Sequence, residues 1–365
     1  MPQEINNDFF LLNGGYTNYE DTTDMARHRW YYYKEGFSPN FVKKAIEHSG
    51  VTKEDIIIDP FNGSGTTTLT ASISGYKSIG IEVNPFTSFL AKTKLKNVEI
   101  QKFNVAFNKM LHACEKGAES DLIRFSTFTY KKGIDKYLFN KNILTSFEGG
   151  WRYASKQTDK NIENLLKLTL ITSAMDNCNA IKDGKCLRYR QTWKSYNYDT
   201  DSFANTMFEK SKIIESDILN NKIEVKSNII NGDVRKVLNE KSKLPKFKLC
   251  ITSPPYLNTF DYTDIYRPEL FLGKFVYDND ELYNLRLKTV RSHVQAKWNK
   301  PINSDFGALY QQSIKHVNEN KELLMSKNIP MMIQAYFEDM HDILTSLKHK
   351  ANRQTQRGHH LIEHW

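Results

Sequence analysis

The sequence predicts an α/β fold on a largely parallel sheet, interrupted by a helical insertion. Three observations carry that prediction. The run "IIIDPF" (56–61) is apolar without alternation, as a strand covered on both faces is. From residue 56 to 95, strand-like and helix-like segments alternate, which implies parallel strands joined by right-handed crossovers. Two turn-rich stretches, "DPFNGSGTT" (59–67) and "TSPPY" (252–256), each directly follow such an apolar run.

The elements read in order as follows. Residues 1–24 are polar and irregular. "SPNFVKKAIEHSG" (38–50) is a bounded helix: Ser38 at the N-cap, Pro39 in the first turn, apolar residues at helical spacing and Gly50 as the stop. A strand over 56–61 precedes a helix over 67–76 that ends at Gly75. "KSIGIEV" (77–83) is a second strand and "PFTSFLAKTKL" (85–95) another helix. The four units expected are residues 25–100 as a first half, 101–222 as a mainly helical insertion, 223–349 as a second half and 350–365 as an atypical tail. Alternation resumes at "SNIINGD" (227–233) and "LCITSPPY" (249–256), and "IPMMIQAYFEDMHDILTSLKH" (329–349) ends in an amphipathic helix.

Composition narrows the class. The 365 residues are 39% hydrophobic and 25% charged, so a core can form. The formal charge of +9 suits a polyanionic partner, and the 19 Tyr and 21 Phe suit base stacking as well as cores. Four cysteines (Cys114, Cys178, Cys186, Cys250) without a CxxC pair or histidine cluster argue against disulfides and metal; reduced thiols in the cytoplasm are expected. No signal peptide or membrane span is read from the sequence.

"DPFNGSGTT" sits where the strand ends and the helix begins, the ligand side of a parallel sheet. Gly63 and Gly65 permit unusual φ/ψ and close approach of a ligand, and the helix start offers free N–H groups. A P-loop would need a lysine here, and a dinucleotide fingerprint a third glycine where Thr68 stands. What remains is a smaller nucleoside. Glu82, ending the next strand, is placed for ribose hydroxyls; Asp233, ending the third, for an adenine amine; and Asp59 for an ammonium. One carboxylate per strand end describes a pocket for S-adenosylmethionine. An ordinary tight β–α turn with solvated strand ends is the competing reading.

In "TSPPY", two prolines stiffen the backbone and remove two N–H donors. The Pro254 carbonyl and Ser253 are two acceptors, and Tyr256 is a flat face. Together they suit the exocyclic amine of a base that has left its stack. A proline-rich turn with a core tyrosine is the alternative.

With both loops in view, the chain resembles the amino-methyltransferases of DNA that methylate cytosine N4 or adenine N6. "DPFNGSGTT" is similar to their cofactor loop, "TSPPY" to their catalytic loop, and "GIEVNP" (80–85) and "NGD" (231–233) to their ribose and adenine positions. "HRWYYYKEGFSPNFVKKAI" (28–46) resembles the segment that closes over the methionine end of the cofactor. The resemblance implies a Rossmann-like methyltransferase sheet and S-adenosylmethionine as cofactor. It assigns Asp59, Pro60, Phe61, Gly63, Gly65, Thr66, Thr67, Glu82, Asp233, Phe37 and Ser38 to cofactor binding, and Ser253, Pro254, Pro255 and Tyr256 to catalysis. The serine favours cytosine N4, since members acting on adenine mostly carry Asp or Asn at the place of Ser253. Direct in-line transfer is implied, with no cysteine nucleophile. Asp261 and Tyr262 are expected to line the pocket, with a helix cap and core packing as the equal reading. Arg188, Arg190 and Trp193, in "KCLRYRQTWKSYN" (185–197), are candidates for substrate contact, like the similar run at 291–300; a solvated face with buried aromatics is the alternative. His28 and Arg29 are candidates for touching cofactor or substrate, with a surface helix start as the equal reading.

The implied partners are double-stranded DNA, a cognate restriction endonuclease, or a second polypeptide completing the sheet. The last follows from the tail: "KANRQTQRGHHLIEHW" reads as polar and aperiodic, so no fifth strand is expected and the catalytic strand is expected to be a sheet edge. A truncated product is the expectation. Two other functional readings stand beside the DNA enzyme: an RNA amino-methyltransferase, and a fragment that binds nucleic acid or S-adenosylmethionine without turnover.

Overall fold

The computed structural model describes residues 19–125, 127–133, 136–183, 186–196, 198–239, 244–352 and 360–363. Of the segment expected to be irregular, residues 1–18 lie outside this range. Ser38 caps α1 (Pro39–Ser49) by accepting from the Asn40 amide at 3.0 Å, and Gly50 closes it in the left-handed region. β1 (Ile56–Asp59), α2 (Thr66–Ile73), β2 (Lys77–Glu82) and α3 (Pro85–Lys94) follow in the predicted alternation. The insertion holds α4 (Ile100–Lys116), α5 (Lys141–Ala154) and α6 (Lys160–Asp176). A small antiparallel hairpin comes next, β3 (Ala180–Lys182) with β4 (Leu187–Tyr189), and then α7 (Thr200–Asn220).

The sheet resumes with β5 (Asn228–Asn231), α8 (Val234–Asn239) and β6 (Leu249–Thr252). Three short helices follow, α9 (Tyr262–Ile265), α10 (Arg267–Leu272) and α11 (Asn279–Arg286). The chain then forms α12 (Ala308–Glu319), α13 (Ile329–Lys350) and β7 (His360–Glu363).

The sheet order is β5-β2-β1-β6-β7, with every pairing parallel. The unbroken isoleucine run of β1 is explained by its two covers. Ile57 packs with α1 residues Phe41, Val42 and Ala45, whereas Ile58 packs on the other face with Val234 of α8 and Ile343 of α13. Helices on both faces leave no solvent side for polar alternation.

The insertion packs into one core with Trp30, Phe86, Leu90, Tyr266 and Leu270, and in it Phe103, Phe147, Leu166 and Phe203 are fully buried. It is fixed to the segment before α1 by Asp217 of α7, which accepts from the Arg27 amide at 2.8 Å, the Arg29 guanidinium at 2.6 Å and the Trp30 indole at 2.9 Å.

Within the mainly helical insertion, β3 and β4 are three-residue strands, too short for a periodic signal. One expectation is corrected. The tail does contain a fifth strand. β7 pairs with β6 from Leu249↔His360 to Thr252↔Glu363, so β6 has a neighbour on each side. A four-residue strand after a polar run shows no local pattern; its partner defines it. Residues 353–359 and 364–365 of the tail lie outside the described range.

Candidate active site

β1 has β2 on one side and β6 on the other, and the chain leaves it in only one of these directions. Its carboxyl end is therefore a switch point of the sheet, where a crevice opens. The glycine loop follows β1 and the TSPPY loop follows β6, so register alone brings the loops together. Thr252 ties them, its hydroxyl donating to Asp59 Oδ1 at 2.9 Å. Gly63 and Pro254 line one cleft, which also takes in Glu82, Asn84, Tyr256 and Tyr262.

The loop is held open by Glu82. Its Oε2 accepts from the Gly63 amide at 2.7 Å and its Oε1 from the Asn84 amide at 2.8 Å. Burial pushes its carboxyl up to about 7, and the two amides offset only part of that. Gly63 and Gly65 take φ of 49° and 91°. A Cβ on Gly65 would lie 2.9 Å from that of Ala91, so this glycine serves backbone conformation and helix packing together. Asn62 turns under the loop: its Oδ1 accepts from Thr68, while its buried Nδ2 has no protein partner. Burial likewise pushes Asp59 up to about 6, although Thr252 and the Phe61 amide donate to it.

On the other lip, Ser253, Pro254, Pro255 and Tyr256 all line the cleft. The Tyr336 hydroxyl donates to the Pro255 carbonyl at 2.9 Å and so fixes the loop from α13. Tyr256 is 41% exposed and presents an open ring. Tyr262 also lines the cleft.

The predicted residues divide. Pro60, Phe61, Gly63, Thr66, Glu82 and Phe37 line the cleft with the TSPPY residues. Gly65 and Thr67 support the loop from behind, and Thr67 is fully buried. Ser38 is a helix cap, its hydroxyl donating to Asp21 at 2.5 Å. Asp59 is 1% exposed and stands behind the wall. The Asp233 carboxylate is engaged by the Arg235 guanidinium at 2.9 Å, and only its neighbours Gly232 and Val234 reach the cleft.

Asp261 caps α9 and pairs with Arg286 at 2.6 Å. Arg188 pairs with Asp183, Arg190 stacks on Tyr196 and Tyr198, and Trp193 packs edge-on against Tyr137. All three stand on or just after the hairpin, away from the cleft wall. His28 is buried near Thr70, and Arg29 pairs with Asp217.

Sequence reading did not single out Tyr33, Glu35, Asn62 and Tyr266, which line the cleft, or the wall at Leu285, Lys288, Thr289 and Val290. Tyr33 and Glu35 lie in the segment whose family resemblance was noted, Asn62 lies within the glycine loop, and Ser292 and His293, also on the wall, lie in the run 291–300 named for substrate contact. Among the described residues no cluster of metal-binding side chains occurs, and no helix is long and apolar enough to cross a membrane.

A parallel sheet with a glycine loop at its switch point, an acid ending the next strand and a rigid proline loop on the neighbouring strand defines a Rossmann-like methyltransferase fold. Residues 7–92 match the family model described as DNA methylase. The chain is 29% identical over 315 residues to the type II methyltransferase M.BsoBI of Geobacillus stearothermophilus, covering 78% of this chain and 60% of that protein. It is 23% identical to M.AvaI of a Nostoc species over 88% of this chain and 71% of that one. A shorter stretch, 36% of the chain and 23% of the relative, is 33% identical to M.MjaII of Methanocaldococcus jannaschii. The chain thus spans about 60% of the length of the first of these relatives. These matches support a DNA amino-methyltransferase family, whose members use S-adenosylmethionine as methyl donor.

Proposed function

We propose that this chain transfers a methyl group from S-adenosylmethionine to the exocyclic amine of a flipped base in double-stranded DNA, with cytosine N4 as the acceptor. One observation carries the reading: the nucleoside loop and the amine-binding loop line the same cleft. The residues suit the cofactor. Glu82 keeps unfilled lone pairs beside its two amide bonds, and the buried Asn62 Nδ2 lacks a protein partner. When bound, the cofactor supplies an electrophilic methyl on sulfur.

The chain's own part is positioning and exclusion of water. Glu82 accepts from ribose hydroxyls, and the wall at Phe37, Pro60 and Phe61 covers the apolar parts of the cofactor. Ser253 and the Pro254 carbonyl accept the two amine hydrogens and turn the nitrogen lone pair toward the donor. Tyr256 stacks on the base. Cys250 is buried within β6 and takes no part. Ser253, in place of an acidic or amide side chain, supports cytosine. On this reading a restriction endonuclease that cuts the same sequence is the expected companion.

Incubation with S-adenosylmethionine labelled in its methyl group and either duplex DNA or tRNA tests the proposal. Label in DNA cytosine is expected. Label only in adenine or in tRNA would reassign the substrate, and no label in either would contradict transfer. Ser253→Ala should slow transfer by about a hundredfold while changing cofactor affinity little, because its hydrogen bond acts on the amine.

A further inference from the structure

Lys94 ends α3 and is 1% exposed. Its ammonium donates to the Ser64 carbonyl at 3.3 Å, and among the described residues it meets no carboxylate. Burial brings it down from 10.5 to about 7. The His28 ring is a second buried basic group in this region, held well below its ordinary range by burial first and by Lys94 second. A lysine in such a place destabilises the fold, because its charged form loses water and gains no opposite charge. A methionine would fill the space without that penalty.

The bond it makes falls on the glycine loop. In a trans peptide the carbonyl and the next N–H point in opposite directions. Lys94 holds the Ser64 carbonyl, and the Gly65 N–H in the same plane donates to the Asn62 carbonyl at 2.8 Å. That plane is thus clamped from both sides, between Gly63 at φ 49° and Gly65 at φ 91°. Ser64 and Thr66 line the cleft, whereas Lys94 does not. The root of the lysine is fixed as well. The Arg27 guanidinium donates to the Lys94 carbonyl at 2.9 Å and to the Lys96 and Asn221 carbonyls at 2.8 Å, so the end of α3 is tied to the end of α7.

We propose that Lys94 is a positioning residue for the cofactor: from outside the cleft it sets the Ser64–Gly65 peptide, and with it the shape of the nucleoside loop. It touches no ligand and acts through the loop alone. This assignment rests on the S-adenosylmethionine reading of that loop.

The test sets affinity against stability. Lys94→Met keeps the length of the side chain and removes the donor. Calorimetry with S-adenosylhomocysteine and urea unfolding are both run at pH 6, where the wild-type fold carries the ammonium. Affinity should fall by about three- to tenfold, the range of one hydrogen bond. The urea midpoint should stay level or rise, since a buried charge has gone. In methyl transfer, the KM for S-adenosylmethionine should rise by the same factor with kcat within about twofold. A lysine that only supported the fold would lower the midpoint when lost. Unchanged affinity, an affinity loss with a lower midpoint, or a fall in kcat at unchanged KM would overturn the Lys94 assignment alone. Wild-type protein that binds no S-adenosylhomocysteine would overturn the cofactor reading and this assignment with it.

Discussion

Glu82 is the residue whose charge should be visible in a stability measurement. Burial raises its carboxyl from 4.5 to about 7. The folded chain therefore holds the proton more tightly than the unfolded chain does. The penalty for ionising Glu82 in the fold is absent below its unfolded pKa and grows as pH rises through about 7. For a group shifted this far the penalty is on the order of 3 kcal/mol. Relative to wild type, Glu82→Gln should gain about that much unfolding free energy between pH 4.5 and 8. Any acceptor the glutamine lacks is missing at both pH values and drops out of the difference. Urea unfolding at the two pH values is the check; a difference that does not change with pH would contradict the buried-carboxylate picture. Glu82 was legible in the sequence because it ends a strand and faces the ligand side. Glu35, which also lines the cleft, was not, because the Tyr266 that holds its carboxylate stands 231 residues away. Asp233 looked equivalent to Glu82 in sequence, but Arg235, two residues on, takes its carboxylate.

The element that decides the site is the turn between β1 and α2. Gly65 meets two constraints there, a φ of 91° and the 2.9 Å approach to Ala91. Gly65→Ala should destabilise by about 2–3 kcal/mol, since left-handed strain and a core clash act together. Gly50→Ala is the control: its φ is 64°, but a Cβ there meets nothing within 4 Å, so a loss of about 1 kcal/mol is expected. Thermal or denaturant unfolding of both variants would show it; equal losses would remove the packing role of Gly65. This turn could be read from sequence because glycines between an apolar run and a hydroxyl-rich helix start have few other uses. The β3–β4 hairpin and β7 could not. Their residues gain strand form from a partner, across a loop in one case and beside β6 in the other.

At the scale of the whole molecule, the order β5-β2-β1-β6-β7 does what neither loop does alone. It sets β1 and β6 side by side, so that segments nearly 200 residues apart share a cleft; the Thr252–Asp59 bond spans 193 residues. The alternation of elements predicted a parallel sheet, but not which strands are neighbours. That follows from the covers: Ile58 and Cys250 share the core under α8 and α13, while Ile57 and Leu249 share the one under α1. The insertion docks through Asp217 on the segment that leads into the cleft wall, and its Lys182 lies 4.2 Å over the Tyr266 ring.

The central claim is that one cleft holds the methyl donor between the glycine loop and the TSPPY loop. Photo-crosslinking with methyl-labelled S-adenosylmethionine, followed by peptide mapping, tests it most directly. Label competed away by S-adenosylhomocysteine should fall within residues 33–37, 60–66 or 253–256, the stretches that face the cleft. Competed label confined to the insertion or to α12 would contradict the account.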